Sequence, residues 1–453
     1  MRPTNLTDAP LWRTMLMFLL PLMGSNILQS LSGTVTSIYL GRMLGVGALA
    51  AVSAFFPFLF LMISFLIGLS NGSTVLIGQA HGARNTEGMR AVAGTTITVV
   101  GLLGISMALF GGLFTRTLLA AVGTPADILP EASDYARVIF IFVPLLFLFL
   151  GYTTFLRGTG DSHTSLYALL LATAISLALT PAFILGFAGL PRLGVTSGAW
   201  ASVVAYTIAL AWLFMHLHRR GNPLALNMAL LKHLWIDPQI LKVLLRIGLP
   251  SGLQMIMVSL SEIAVISFVN RFGSNATAAY GAVNQVVSYV QFPAISVSIA
   301  ASIFGAQAIG AGNPERLTRI ARTAALMSLV IVGLLVIAAY SFSRSIVGWF
   351  IDNPDTIEIA HRLLMITLWS YLVFGTSVVL SGVMRASGAV LWPTAISIFS
   401  IWGIEVPVAY WLSYRVGIDG IWIGYPVAFL GGLALQASYF HFVWRRRTHA
   451  RLI

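Results

Sequence analysis

The sequence contains no cysteine and very little charge. None of its 453 residues is Cys, 9% are Asp, Glu, Lys or Arg, and 58% are hydrophobic. Without cysteine, disulfides, thiolate catalysis and zinc–thiolate sites are excluded. A soluble domain carries about 25% charged residues to cover its surface. This chain is therefore expected to be solvated by lipid rather than by water.

Acidic residues are scarcer than basic ones. Asp and Glu number 14 against 26 Lys and Arg, which gives a formal net charge of +12. The basic residues are scattered through short loops and do not interleave with aromatic residues on one face, so no nucleic-acid partner is expected. Neither a His, Asp or Glu cluster with ligand spacing nor a nucleophile beside its base is evident. We therefore expect no metal site, no cofactor, no catalytic residues and no enzymatic activity.

Long apolar runs dominate what is present. Glycine, proline and charged residues divide them into twelve predicted spans, each long enough to cross a bilayer as a helix. The first residues lack a signal-peptide layout, so the first span is expected to be retained. The predicted spans are Trp12–Leu40, Gly47–Ser70, Ala91–Phe114, Arg137–Leu156, Ser165–Leu190, Thr196–His218, Ile247–Asn270, Ala278–Ile303, Ile320–Phe342, Ile359–Val383, Val390–Tyr414 and Ile421–Trp444.

The second half of the chain repeats the first. At a constant offset of 228 residues, Gly45 falls on Gly273 and Gln79 on Gln307. Six spans separate the copies, an even number, so the halves are predicted to be parallel repeats about an axis along the membrane normal. We predict an all-α membrane protein whose twelve transmembrane helices form two six-helix bundles related by a pseudo-twofold axis. The predicted domains are an N-terminal lobe, 1–222, a linker, 223–246, and a C-terminal lobe, 247–453.

The basic residues also predict the orientation in the membrane. Twelve spans place both termini on one side, and loops on the cytoplasmic side carry an excess of Lys and Arg. Of the 26 basic residues, 18 fall on the side of the termini and the linker. Both termini are therefore expected to be cytoplasmic, in the cell (inner) membrane.

Several motifs in this layout resemble the MATE (multidrug and toxic compound extrusion) family. The resemblance covers nearly the whole chain. It implies an antiporter that exports small, amphipathic, often cationic compounds, driven by inward flow of H⁺ or Na⁺. Membrane lipid is the other expected partner, and a monomer is expected. The motifs are Val35–Arg42, Leu44–Ala51, Gly78–Ala83, Leu156–Asp161 and Gly194–Ala201, together with their second-half counterparts.

The first half departs from the family pattern at three positions. Thr36 stands where family members commonly carry an Asp in the first helix. Ser176 and Thr180 replace the polar residues of a fifth-helix Asn-x-x-x-Asp-Pro motif. These hydroxyls are expected to face one another as a degenerate cation site that holds no ion alone. In the family branch that uses acids of the seventh and tenth helices, Val258 and Phe374 occupy those positions.

Two carboxylates lie well inside predicted spans, Glu262 in span seven and Glu405 in span eleven. A carboxylate at membrane depth is a functional-site hypothesis by default. At 1.5 Å per residue, each lies roughly 20 Å along its span. We expect this pair to exchange the coupling ion. Desolvation favours a proton. Na⁺ is the alternative ion, but it needs several oxygen ligands, and Ser259, Ser261 and the carboxylates supply only some of them. A purely structural hydrogen-bonding role is the alternative for each residue.

Four further residues are candidates for lining a substrate cavity: Asn26, Phe55, Asn284 and Tyr289. Aromatic and apolar walls suit amphipathic cations. For the amides, hydrogen bonding between helices is the alternative role.

Other transport functions remain open on the sequence. A flippase or exporter of a lipid-linked or other specific metabolite in the same superfamily is the nearest alternative, although extra helices and an arginine-rich cavity would be expected of such a flippase. A transporter of the major facilitator type would carry a charged motif between helices two and three, where His81–Asn85 has no Asp-Arg pair.

Overall fold

The structure is a computed structural model that describes residues 10–349 and 353–452. These residues form helices and no strands. The helices are α1 Leu11–Leu44, α2 Val46–Ser53, α3 Phe56–Gly82, α4 Thr86–Ala121, α5 Leu129–Gly158, α6 Ser162–Leu185, α7 Ser197–Arg219, α8 Met228–Leu231, α9 Pro238–Val269, α10 Ser274–Gly310, α11 Arg316–Ser341, α12 Ser343–Gly348, α13 Pro354–Thr367, α14 Ser370–Ala386, α15 Leu391–Phe399, α16 Val406–Arg415 and α17 Ile418–Ser438.

Most of these helices are long and apolar enough to cross a membrane. Within the described residues there are eleven such spans, and a twelfth if α13 and α14, bent by 47° at their junction, count as one. Each corresponds to one of the twelve predicted apolar runs. The prediction of an all-α membrane protein with this number of spans is confirmed.

One boundary difference lies at the end of the predicted linker. Helix α9 begins at Pro238, well before the predicted start of span seven at Ile247. The Asp237 carboxylate accepts hydrogen bonds from the backbone N–H groups of Gln239 (2.8 Å) and Ile240 (3.3 Å). An Asp N-cap followed by proline is a strong start signal, and no breaker follows before the apolar run. The second part of the predicted linker is therefore the first part of the spanning helix.

Span five is shorter than predicted. It ends at Leu185 rather than Leu190 because Gly186 adopts φ 71°, the left-handed conformation that terminates many helices. The apolar residues that follow form a 3₁₀ turn, Phe187–Gly189. Hydropathy alone did not show this end, because the turn is as apolar as the helix.

The two copies of the repeat share unusual backbone geometry at matched positions. Gly45 has φ 94° and ψ 178°, and Gly273 has φ 93° and ψ 177°. Residues with a Cβ rarely adopt this conformation, so glycine is required at both turns. The 228-residue offset seen in the sequence is therefore also present in the backbone.

The ends of α3 and α10 match in the same way. The backbone N–H of Ala83 donates to the carbonyl of Gln79 at 2.9 Å, and that of Ala311 donates to Gln307 at 2.9 Å. Each helix thus closes with the same turn in both halves. The superposition of the complete lobes by a twofold-like rotation stays a prediction.

The chain divides into two compact units by the density of its contacts. One comprises the described residues up to Met23 together with Leu249–Leu452, and the other is Gly24–Gly248. The core of the first includes Tyr280 and Trp422, and the core of the second includes Phe55. The divisions fall inside α1 and α9, whereas the predicted lobes, 1–222 and 247–453, followed the loops and stay a prediction.

Candidate functional site

The two carboxylates at membrane depth lie in the same compact unit. Glu262 is on α9, and Glu405 ends a π-helical segment, Ser400–Glu405, that interrupts span eleven. Glu405 is 5% exposed, whereas the Glu262 side chain is exposed. Their charges are near enough to act on each other. The structure therefore places the two residues that the sequence indicated for ion coupling in one helix bundle, within electrostatic range of each other.

The irregular backbone at Glu405 has a local cause. Helix α16 carries Pro407 in its first turn. Proline has no N–H to donate, and its ring crowds the carbonyl four residues earlier, which belongs to Gly403. The wider turn of the Ser400–Glu405 segment accommodates this. Single π turns inside α-helices are frequent at functional sites.

Glycines allow α17 to pack directly on the π segment. A Cβ at Gly424 would lie 3.1 Å from the backbone oxygen of Glu405, and one at Gly432 would lie 2.8 Å from Ser400 Oγ. Small residues at helix interfaces let the backbones approach closely in membrane proteins. Helix α17 thereby encloses Glu405 on one side.

Three tyrosines lie within electrostatic range of the carboxylates. Tyr280 on α10, Tyr371 on α14 and Tyr425 on α17 are each near enough to Glu405 for an electrostatic interaction, and Tyr280 and Tyr371 are also near Glu262. The hydroxyls of Tyr280 and Tyr425 are hydrogen-bonded at 3.1 Å. Five spans thus each contribute one ionisable side chain to this cluster, which we name the carboxylate–tyrosine site.

Aromatic packing holds these tyrosines in place. The Tyr280 ring stacks on Trp422 with a centroid distance of 5.8 Å and an interplanar angle of 5°. Tyr371 meets Phe429 edge-on at 5.2 Å. Such ring contacts are each worth about 0.5–1.5 kcal/mol beyond the area that they bury. The hydroxyl groups are therefore presented from fixed rings.

Of the predicted cavity residues in this unit, Asn284 lies at the site and Tyr289 does not. Asn284 lies one turn after Tyr280 on α10, and its side chain is near enough to the Tyr280 hydroxyl to interact with it. Tyr289 is 40% exposed. It lies five residues further on, about 140° around the helix from Asn284.

The other two predicted cavity residues belong to the other unit. Asn26 is half-buried on α1. Phe55 is 0% exposed, and the rings of Phe58, Tyr135 and Phe140 surround it at centroid distances of 6.2, 6.2 and 5.1 Å. Phe55 is therefore enclosed in an aromatic core and does not face open space.

The three first-half hydroxyls have local partners. Thr180 Oγ1 donates to the backbone oxygen of Ser176 at 2.7 Å, and both residues are buried. The Thr36 methyl packs against the start of α7, where a Cβ on Gly198 would lie 3.1 Å from it. Their expected arrangement as a degenerate site, with the three side chains facing one another, stays a prediction.

Sequence reasoning missed the three tyrosines. Tyr280 had one available signal, its spacing of one helical turn before Asn284. Tyr371 and Tyr425 had none, because the rotation of a helix about its own axis decides which tyrosines meet. Within the described ranges, no three His, Asp or Glu side chains converge to hold a metal ion.

Comparisons with known proteins agree with this architecture. The MatE family model matches residues 21–182 and again 250–411, one match in each half. A probable multidrug resistance protein of Bacillus subtilis (strain 168), YoeA, is 51% identical and covers 98% of this chain and 96% of its own length. A FAD transporter of Shewanella oneidensis is 26% identical over 93% of each chain. The crystal structure of MATE in complex with MaD3S matches with a TM-score of 0.87 at 21% identity, over 96% of this chain and 97% of that one.

Proposed function

We propose a function for this chain from one established premise: it belongs to the MatE family of membrane transporters. Members of this family are multi-pass transporters and not enzymes, which confirms those two predictions. Its relative at 51% identity is named a probable multidrug resistance protein. The proposed activity is secondary active export of small, amphipathic organic cations, with the two lobes alternating access to the two sides of the membrane.

The proposed driving reaction is inward flow of H⁺ through Glu262 and Glu405. The observation that carries it is the placement of these carboxylates, one of them buried, within electrostatic range of each other and of the three tyrosines. Two neighbouring carboxyl groups in apolar surroundings hold one shared proton more readily than two negative charges. Na⁺ is the second candidate ion, with the carboxylates and tyrosine hydroxyls as its oxygen ligands.

The hydroxyl pair of Tyr280 and Tyr425 supplies groups that can both donate and accept a proton. It lies near Glu405, the buried member of the pair. In the proposed cycle, the Tyr280 hydroxyl hydrogen-bonds whichever carboxyl carries the charge, and the Tyr425 hydroxyl bonds to Tyr280. The first-half hydroxyls take no part, since Thr180 donates within its own helix.

The location proposed for this transport is the cell (inner) membrane, with both termini and the linker in the cytoplasm. It follows from the excess of basic residues on the side of the termini and the linker.

The proposed function is tested by dye efflux from everted vesicles at matched protein levels. Glu262→Gln keeps the shape of the side chain but cannot titrate, so uphill efflux should be lost while substrate binding persists. Glu315→Gln, the same exchange at an exposed position between α10 and α11, is the control and should transport normally. Full uphill efflux by Glu262→Gln would overturn the assignment.

The coupling ion is identified by collapsing the two gradients separately. With H⁺ as the coupling ion, dissipating the pH gradient stops efflux and dissipating the Na⁺ gradient does not. The reverse result would assign the site to Na⁺.

Export of one specific metabolite is the second candidate function. It is favoured by the FAD transporter among the relatives, which this chain matches over nearly its whole length. Competition between a fluorescent organic cation and FAD in the same efflux assay separates the two. Inhibition of dye efflux by FAD at micromolar concentration would favour the metabolite.

A further inference from the structure

Two side-chain contacts join span seven to span eleven, one on each side of the carboxylates. Before them in the chain, the indole N–H of Trp402 donates to the backbone oxygen of Met257 at 3.1 Å. After them, Arg271 Nη1 donates to the hydroxyl of Tyr414 at 2.6 Å. Trp402 and Tyr414 belong to span eleven. Met257 belongs to span seven, and Arg271 lies in the turn at the end of that span.

Counted from the second contact, the two carboxylates lie at the same level. Glu262 lies nine residues before Arg271, and Glu405 lies nine residues before Tyr414. Spans seven and eleven run in the same direction, and the same two contacts join them. At 1.5 Å per residue, each carboxylate is about 13.5 Å from the second contact along its helix.

The second contact is broad. The Arg271 guanidinium lies over the rings of Phe268, Tyr410 and Tyr414 at 5.5, 5.8 and 5.6 Å. The rings of Phe268 and Tyr410 also meet, with centroids 5.5 Å apart. Loss of one member would leave the others in contact.

The first contact consists of one hydrogen bond, and it is made by the π segment itself. Trp402 lies inside Ser400–Glu405, three residues before Glu405. A π turn differs from an α turn by one extra residue, so a return to regular α-helix would rotate the residues on one side of it by about 100°. Whatever fixes the register of this segment therefore fixes the direction in which Glu405 points.

We propose that Trp402 is a positioning residue for Glu405, because its indole N–H holds the π segment against α9 and so keeps Glu405 beside Glu262. This inference rests on the proposed function, since it assigns Trp402 a role only in coupling. Trp402 does not exchange the ion itself.

Trp402→Phe is the informative change, because it keeps an aromatic ring and removes the N–H donor. One neutral hydrogen bond is worth about fivefold in an equilibrium. We expect the kcat of H⁺-driven efflux in proteoliposomes to fall about fivefold, with an unchanged KM for the dye. Dye exchange at equal pH on both sides, which needs no net H⁺ movement, should be unaffected. A kcat equal to that of the unmodified protein would overturn the inference.

Two comparison variants separate positioning from general stability. Trp411→Phe makes the same exchange on α16 at a side chain that is 59% exposed, and it should leave kcat unchanged. Trp402→His keeps a ring N–H and should recover part of the lost kcat. Equal loss in Trp402→Phe and Trp402→His would contradict a role for the hydrogen bond.

A double substitution provides the decisive measurement. If Trp402 acts only through Glu405, Trp402→Phe should cause no further loss in a Glu405→Gln background. A full additional fivefold loss there would show an independent structural role. If Glu262→Gln and Glu405→Gln both transport normally, the proposed function itself fails. If they lose coupling while Trp402→Phe behaves like Trp411→Phe, only the positioning role fails.

Discussion

At the scale of single residues, Glu262 and Glu405 share a charge type but not an environment. Glu262 is exposed, whereas Glu405 is buried and α17 packs on its backbone. We expect Glu262→Asp to retain part of the transport activity with a changed pH dependence, because the carboxyl is kept but moved by one methylene.

Glu405→Gln should reduce transport more mildly than Glu262→Gln. Measured pH–rate profiles of the three variants check this, and an inactive Glu405→Gln with a normal Glu262→Gln would reverse the roles.

Thr36 provides the complementary test in the first half. Its methyl packs on Gly198, and a hydroxyl without a nearby carboxylate has no charge to offset the dehydration of a cation. Thr36→Ala should therefore leave ion-driven efflux intact. Loss of efflux by this variant at normal expression would mean that the first half still holds a working ion site.

At the scale of elements, the turns at Gly45 and Gly273 lend themselves to a stability measurement. A Cβ at Gly45 would meet nothing within 4 Å, so the cost of Gly45→Ala comes from the backbone alone, at φ 94°. We expect each of Gly45→Ala and Gly273→Ala to lower stability by about 1–3 kcal/mol, because this combination of φ and ψ is almost confined to glycine.

The matched control for these turns is Gly47→Ala. Gly47 lies in helix α2, also has nothing within 4 Å of an added Cβ, and has no positive φ. Alanine is favoured over glycine in a helix, so this exchange should raise stability by up to about 1 kcal/mol. Thermal unfolding in one detergent compares all three variants. A Gly45→Ala variant as stable as Gly47→Ala would show that the turn relaxes freely.

The segment after α17 is expected to respond to pH. Trp444 is 2% exposed, its indole N–H donates to Ser387 Oγ at 2.8 Å, and its ring centroid lies 4.2 Å from that of His449. Burial lowers the pKa of His449 below its ordinary value of 6.5. The docked segment therefore binds a proton less readily than the free one, so docking is strongest above pH 6.5 and weakens as the pH falls below it.

Hydrogen exchange of residues 440–452, corrected for the intrinsic effect of pH, measures this docking. Protection should decrease between pH 7.5 and 5.5, the two measurement conditions chosen to bracket the ordinary histidine value of about 6.5. A His449→Gln variant should show no such decrease. Equal pH dependence in both proteins would assign the effect to another group.

At the scale of the whole molecule, the orientation in the membrane is the first prediction. A reporter that is active only in the cytoplasm, fused after the last residue or inserted within the Arg219–Arg246 linker, should be active at both positions. The reason is the excess of basic residues on that side. Activity of a periplasmic reporter at either position would invert the topology.

The spans could be predicted from the sequence because a bilayer imposes a single requirement on each of them, an apolar run of sufficient length. The repeat was visible because turns such as Gly45 and Gly273 tolerate few residues other than glycine. The start of α9 was misplaced because Asp237 and Pro238 were read as parts of a linker, although together they also begin a helix.

The carboxylates could be found from the sequence and their surroundings could not. Charge inside an apolar run is conspicuous, and this identified Glu262 and Glu405. Tyr371 and Tyr425 are ordinary residues of apolar spans, and their meeting depends on helix rotation. Pro407 is visible in the sequence, but a proline can kink a helix as well as widen a turn. The π segment therefore required the structure.

Both carboxylates and the three tyrosines lie in Leu249–Leu452, whereas the acids of Gly24–Gly248 stand at helix starts or in loops. In terms of inheritance, all of the residues proposed for ion coupling are encoded in the second of the two repeated halves of the gene. Recombination between two relatives within the linker codons would transmit ion preference intact with the second half, as a single heritable block.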